Sequence, residues 1–117
     1  MGVYSEVVLV AKTDDIERFD DLLAAEEDGM RLGTMNFEPV AERDGTTVMS
    51  AGCVKWYESF PEVQVFERVY DEFFRIGGRP SRYISVVENE WTERDLATGD
   101  TSRLAFHAGP SLTVEYY

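Results

Sequence analysis

Residues 3–11 read VYSEVVLVA, and this Val-rich stretch decides the fold class. Val and other β-branched residues are typical of strands. Because side chains alternate along a strand, Val8 and Val10 share one face while Val7 and Leu9 share the other. Both faces are therefore apolar, which is typical of a strand buried on both sides. The stretch predicts the central strand of a sheet.

The stretch that follows this strand predicts an acidic helix. Thr13 or Asp14 can cap this helix, and Asp14 and Glu17 have the spacing of a capping box. Gly29 marks a stop. Apolar residues recur at helical spacing and form one stripe: Ile16, Phe19 and Leu23.

Residues 30–54 predict a β-hairpin, because Asp44 and Gly45 form a favoured two-residue turn. The first strand of the hairpin is expected to contain Met35 and Phe37. In the returning strand, Gly52 predicts a β-bulge.

The pattern after the hairpin predicts a second helix. Ser59 and Glu62 have capping-box spacing, with Pro61 in the first turn, and residues 77–78 (Gly-Gly) end the helix. Its apolar residues lie at i, i+3, i+4 and i+7, as expected for one helix face: Phe66, Val69, Tyr70 and Phe73.

The remaining residues predict short strands. Residues 83–87 form one strand, residues 88–102 are polar with a turn at 97–100, and residues 104–107 and 112–117 are expected to pair as edge strands. The order predicts an α+β fold, a ferredoxin-like βαββαβ antiparallel sheet with two helices on one face and a short C-terminal β addition. We expect one domain over residues 1–117.

The composition limits the classes of partner. The 117 residues include 23 Asp and Glu against 11 Lys and Arg, a net charge of -12. This charge repels phosphate backbones and anionic lipids, so we expect neither direct nucleic-acid binding nor membrane binding. A partner with a basic surface is favoured, and mimicry of nucleic-acid charge stays open. Solubility or adaptation to salt explains the same acidity.

Four acidic residues of the first helix are candidate contacts with a basic partner. They recur at spacings of three, four and seven and so lie near one helix face: Asp14, Glu17, Asp21 and Asp28. The alternative is a solvated face without a binding role.

Aromatic residues between the third strand and the second helix are further contact candidates. Trp56, Tyr57 and Phe60 belong to residue types that dominate protein interfaces. The alternative is that Trp56 and Phe60 only fasten the helix to the sheet. Trp91, within an acidic stretch, is a second contact candidate or a cover for the sheet edge.

Three arginines flank the Gly-Gly pair in the sequence: Arg75, Arg79 and Arg82. We call this group the arginine corner. Arg offers bidentate contacts to phosphate, so the corner could hold a small nucleotide-like anion. The alternative is a helix stop whose arginines compensate the helix dipole.

The chain lacks a recognisable catalytic pattern. Its single Cys53 excludes an internal disulfide, and its single His107 has no Cys or His partner for a metal site. An enzyme acting on a phosphate or nucleotide through His107 is the third interpretation. The sequence favours a non-enzymatic protein with no metal and no cofactor.

Three stretches resemble a family of small phage and prophage accessory proteins. Residues 1–7 (MGVYSEV) are similar to the family's MGYRSEV start, residues 54–63 (VKWYESFPEV) to its VKWYxxYPDV segment, and residues 82–90 (RYISVVENE) to a strand that ends in acidic residues. Tyr4 stands where the family has Arg, and the chain from Thr101 onward has no counterpart.

The resemblance implies a biological setting for the chain. It implies a phage-type accessory protein in the cytoplasm of a bacterial host, which binds and inhibits a host protein of a defence or nucleic-acid-handling complex. The C-terminal residues Val114, Tyr116 and Tyr117 leave a homodimer open, since an edge strand can pair with a second copy.

Overall fold

The Val-rich stretch forms a strand in the middle of a five-stranded sheet. The computed structural model of the protein describes residues 5–26, 30–87, 93–108 and 114–116. The helices and strands, in chain order, are β1 (Ser5–Lys12), α1 (Thr13–Glu26), β2 (Glu38–Arg43), β3 (Thr46–Val54), α2 (Pro61–Tyr70), β4 (Ser81–Val87), β5 (Glu93–Thr98), β6 (Phe106–Ala108) and β7 (Val114–Tyr116).

The five strands of the main sheet follow the order β2-β3-β1-β4-β5, and every neighbouring pair is antiparallel. The predicted α+β class is confirmed. The ferredoxin-like arrangement is not confirmed, because the strand order differs: the sheet has a fifth strand, β5, beside β4. The sequence pattern missed β5 because apolar residues are sparse there. The turn predicted at residues 97–100 begins later in the chain, because β5 continues to Thr98. Within the predicted turn, only Gly99 takes a positive φ, of 63°.

One face of the sheet packs against both helices. Val7 and Leu9 of β1 lie in the same core as Phe19 of α1 and Phe66 of α2. Phe66 is the centre of this core, because its ring contacts five other rings at centroid distances between 5.1 and 6.4 Å. This packing confirms the prediction that Val7 and Leu9 lie on the same face of β1.

The other face of the sheet is covered by the C-terminal part of the chain. Val8 and Val10 of β1 pack with Leu104 and Phe106, all of which are buried. Strands β6 and β7 pair with each other as predicted, but as a separate two-stranded sheet and not at the edge of the main sheet. Their apolar residues are needed to cover the second face of β1.

The β2–β3 hairpin confirms its predicted turn and corrects its first strand. Asp44 and Gly45 have φ values of 51° and 74°, the left-handed conformation that this type of tight turn requires. Met35 and Phe37 are buried but precede β2, because Leu32–Met35 forms a 3₁₀ turn that ends at Asn36 with φ 69°.

A change of pairing register accompanies the predicted β-bulge. The register of β1 against β3 shifts between Ser5 and Val7, opposite the part of β3 that contains Gly52. The bulge prediction is confirmed.

The N-cap of helix α2 lies one residue later than predicted. Phe60 and not Ser59 occupies the N-cap, and Pro61 opens the first turn. The helix continues into a π-helical segment, Asp71–Ile76, which buries Phe74 completely. In the described part of the chain, no helix is long and apolar enough to cross a bilayer.

Candidate partner-binding site

A groove of about 350 Å³ lies between α1 and the β2–β3 hairpin. Its floor is mainly apolar and its rim carries three carboxylates. The floor includes Ile16, Leu32, Phe37, Pro39 and Met49. The rim carboxylates are Glu17, Asp20 and Glu42. We call this feature the acidic groove.

The start of α1 is held against the hairpin by hydrogen bonds. The hydroxyls of Thr13 and Thr47 are 2.6 Å apart, and the Thr13 backbone N–H donates to the Gly45 carbonyl at 2.8 Å. The tight turn at residues 44–45 therefore positions the wall of the acidic groove as well as the hairpin.

Asp20 organises one end of the groove. Its carboxylate accepts a hydrogen bond from the Leu32 backbone N–H at 2.7 Å and pairs with the Arg31 guanidinium at 3.0 Å. Because these contacts hold the segment after α1 in place, Asp20 has a structural role, and Arg31 offsets its charge.

Glu17 and Glu42 are the available carboxylates of the groove. Both side chains are exposed, and neither forms an ion pair within the described part of the chain. No Lys or Arg is found among the described residues that line the groove. The groove therefore offers negative charge beside an apolar surface, which suits a cationic group with an aliphatic stem.

Two of the four acidic residues predicted as one contact row line different clefts. Glu17 lines the acidic groove, whereas Asp14 lines a different cleft on the other side of α1. Asp21 pairs with Arg31 at 3.2 Å. Asp28 lies outside the described residues.

Sequence reasoning missed two residues of the groove. Asp20 lies three residues after Glu17 on α1, so helical spacing could have found it. Glu42 comes from β2, and only the pairing of the hairpin with the helix layer brings it near Glu17. No pattern within α1 contains that information.

Trp56 belongs to the core and not to an exposed contact surface. Its side chain is 7% exposed, and its rings contact Phe37 and Phe66. The indole N–H donates to the Tyr83 hydroxyl at 2.7 Å, and that hydroxyl donates to Glu67 at 2.8 Å. Burial raises the pKa of Tyr83, which keeps the hydroxyl neutral and able to donate. The position of Trp56 agrees with the alternative in which it fastens α2 to the sheet.

Tyr57 and Phe60, two further predicted aromatic contacts, contact each other. Tyr57 and Phe60 are half-buried and meet edge to face, with ring centroids 5.0 Å apart. Neither lines the groove. Trp91 lies outside the described residues.

The three arginines of the predicted corner pair with three different carboxylates. Arg75 pairs with Asp71 one turn earlier in the same helical segment, which lowers the pKa of that carboxyl. Arg82 on β4 pairs with a β5 carboxylate at 2.6 Å, and Arg79 with an α1 carboxylate at 3.0 Å: Asp95 and Asp15, respectively. Of the three, only Arg79 lines a described cleft.

The remaining candidates for chemistry give no assembled site in the described residues. No group of three or more His, Cys, Asp or Glu side chains is placed to hold a metal ion in that part of the chain. His107 lies in β6 and Cys53 in β3, and their side chains lie outside what the structure describes. The non-enzymatic interpretation stays a prediction.

The comparisons with known proteins give no relative. Searches against family models, curated proteins and solved structures returned no match.

Proposed function

We propose that this chain is a non-enzymatic binding protein that engages a basic segment of a partner protein through the acidic groove. One observation carries the proposal. Glu17 and Glu42 face an apolar floor without an ion-pair partner in the described part of the chain. An arginine or lysine of the partner supplies both of the missing contacts.

The chemistry of the groove matches a long basic side chain. Lys and Arg bury their aliphatic stems on apolar surfaces while the charged end stays hydrated or paired. Pro39 and Met49 offer such a surface, and Glu17 and Glu42 receive the charged end. Arg is favoured over Lys, since its guanidinium can contact two carboxylates at once.

The charge of the whole chain supports the same class of partner. A net charge of -12 attracts a basic protein from a distance and repels an acidic one. Salt screens this attraction, so the rate of association is expected to fall steeply as the ionic strength rises.

The neighbouring sheet edge favours insertion of side chains over addition of a strand. β2 forms one edge of the main sheet, but Pro39 has no backbone N–H and the β2–β3 register shifts between Pro39 and Ala41. Proline and bulges protect sheet edges from pairing with another chain. The partner is therefore expected to contact side chains in the groove.

The biological context that we propose rests on the resemblance of residues 1–7, 54–63 and 82–90. In that context the protein is a phage accessory protein in the bacterial cytoplasm that inhibits a host defence or nucleic-acid-handling complex. A homodimer and the ferredoxin-like assignment of the core stay proposals as well. The assignment is supported by the antiparallel sheet and the two helices packed on one of its faces.

Two matched peptides test the groove directly. One peptide alternates leucine and arginine, and the other alternates leucine and glutamate. NMR of the ¹⁵N-labelled protein is expected to show amide shifts with the arginine peptide, concentrated at residues 16–20 and 38–42. The glutamate peptide is expected to cause none.

A double variant tests whether Glu17 and Glu42 bind the arginine peptide. Glu17→Gln with Glu42→Gln removes two charges from the groove, and Glu6→Gln with Glu62→Gln removes two exposed charges elsewhere. The first variant should weaken binding of the arginine peptide by about tenfold or more, because charged hydrogen bonds contribute about 1.5–3 kcal/mol each. Equal weakening in both variants would contradict the proposal, because it would mean that the peptide binds the acidic surface without preference for the groove.

A further inference from the structure

A second and larger cleft lies on the other side of the start of α1. Its volume is about 750 Å³, and it is bounded by the β2–β3 turn, the segment between α2 and β4, and the 3₁₀ turn Thr101–Arg103. Four basic residues line it: Lys12, Arg18, Arg79 and Arg103. We call this feature the basic cleft.

The local charge of the cleft is opposite to that of the whole chain. Its four basic residues are more than a third of the chain's 11 Lys and Arg. Against them stand three lining carboxylates: Asp14, Asp15 and Asp44. The described lining therefore has a formal charge of +1 in a chain whose net charge is -12.

Arg79 is a fixed wall of the basic cleft. Its backbone N–H donates to the Phe74 carbonyl at 2.8 Å, and its own carbonyl accepts from the Thr98 hydroxyl at 2.8 Å. Its guanidinium pairs with Asp15 at 3.0 Å and lies 4.6 Å from the centre of the Phe73 ring. These contacts set the shape of the cleft and offset the charge of Asp15.

The other three basic residues have exposed side chains that a ligand can reach. Lys12 and Arg18 are exposed, and neither forms an ion pair with another described residue. Arg103 is 74% exposed and forms an ion pair with the similarly accessible Asp100 at 3.6 Å, which a phosphate group can replace. Once the Arg79–Asp15 pair is set aside, three cations surround the opening and face Asp14 and Asp44.

We propose that the basic cleft binds a small molecule that carries a di- or triphosphate group. Several cations around one opening favour a ligand with several negative charges, and Arg contacts phosphate oxygens in a bidentate manner. The volume lies within the usual range of about 300–1,000 Å³ for small-molecule sites. A long nucleic acid is excluded, because its phosphates would extend beyond the cleft over a surface that repels them.

Titration calorimetry at constant ionic strength tests the proposal. The probes are inorganic pyrophosphate and ADP, added to the full chain in a buffer without phosphate. We expect one molecule bound per chain. Arg18→Gln with Arg103→Gln should raise the Kd by about tenfold or more, because two charged contacts are lost. Both side chains are exposed, so an unchanged thermal unfolding curve checks that the fold is kept.

A matched control separates the cleft from general electrostatics and from the arginine corner. Lys55→Gln with Arg75→Gln also removes two exposed positive charges, neither of them in the cleft. We expect its Kd to stay within about twofold of the unchanged protein. Asp14→Asn should lower the Kd, because a carboxylate that repels the phosphates is removed. The proposal is overturned if neither probe binds, or if the two double variants weaken binding equally.

Discussion

Arg79 illustrates how single residues shape this molecule. Its carbonyl is approached so closely by Gly99 that a Cβ on that glycine would lie 2.7 Å from the carbonyl carbon and 2.8 Å from its oxygen. Gly99 also has a φ of 63°, which side chains disfavour. The position thus requires glycine for two independent reasons, and the close approach to Arg79 concerns the wall of the basic cleft.

Replacing Gly99 by alanine should therefore destabilise the fold more than the same change at Gly78. Gly78 has a similar φ of 66° but open space around its Cβ position. Gly78→Ala is expected to cost about 1–2 kcal/mol from backbone strain alone. Gly99→Ala should cost roughly 1 kcal/mol more, because the Arg79 backbone must move. Urea unfolding of both variants measures the difference, and equal losses would refute the close contact.

A buried tyrosine makes stability depend on pH in the alkaline range. The Tyr70 hydroxyl is hydrogen-bonded to the Ser81 hydroxyl at 2.7 Å, and burial raises its pKa to about 12. In the unfolded chain a tyrosine titrates near pH 10. Because the folded state retains the proton, this contribution is fully present below about pH 10 and is lost as the pH rises to about 12.

Unfolding free energies at alkaline pH test this contribution. Between about pH 10 and 12 the unchanged protein should lose on the order of 2 kcal/mol more than Tyr70→Phe, which has no hydroxyl to titrate. The difference between the two proteins removes the effect of the other tyrosines. Parallel pH curves would show that the Tyr70 hydroxyl ionises as easily in the folded state as in the unfolded state.

At the scale of elements, α2 joins the sheet to the other helix through one ring. Phe66 is fully buried and contacts the rings of Phe19 on α1, Trp56 before α2 and Tyr83 on β4. The helical spacing of the sequence predicted the buried Phe66, Val69 and Tyr70 correctly. Phe73, the fourth predicted residue, is only half-buried and Phe74 is buried in its place, because the helix becomes π-helical at residues 71–76. The spacing did not predict the π-helical continuation, in which Phe74 packs edge to face against Phe19 of α1 with ring centroids 5.4 Å apart.

Truncating this ring should be among the most costly changes in the chain. Phe66→Ala is expected to lower the free energy of unfolding by about 3–5 kcal/mol, because a large cavity is left among aromatic rings. Gln64→Ala on the exposed side of α2 should change it by no more than about 1 kcal/mol, because it removes one exposed hydrogen bond to the Glu58 carbonyl. Urea denaturation of both variants gives the comparison. A loss below about 1 kcal/mol for Phe66→Ala would mean that this core is not closely packed.

Prediction from sequence succeeded where one element contains its own signal. The alternation in β1, the apolar stripe of α1 and the Asp44–Gly45 turn are local patterns, and each is found in the structure. It failed where packing between distant segments decides. β5 has few apolar residues, and the place of β6 and β7 follows from the need to cover the second face of β1.

At the scale of the whole molecule, the two sites at the start of α1 show the same difference between local sequence signals and the packing of distant segments. Glu17 was predicted as a contact, but its companion Glu42 comes from the hairpin. Arg79 was predicted as a ligand contact, but the other basic residues of its cleft come from β1, α1 and the 3₁₀ turn after β5. The chain therefore carries an acidic groove and a basic cleft on opposite sides of one helix end, which no single motif encodes.

Capture of partners from a bacterial lysate tests the central claim most directly, when four conditions are compared by mass spectrometry. The tagged chain is used unchanged, as the Glu17→Gln, Glu42→Gln variant and as the Glu6→Gln, Glu62→Gln variant. The unchanged chain is also used at about 1 M salt, where the Debye length falls to about 3 Å. We predict one dominant basic protein, retained by the unchanged chain and the second variant, and lost with the first variant and in high salt. Retention of the same protein by the first variant would contradict binding through the acidic groove.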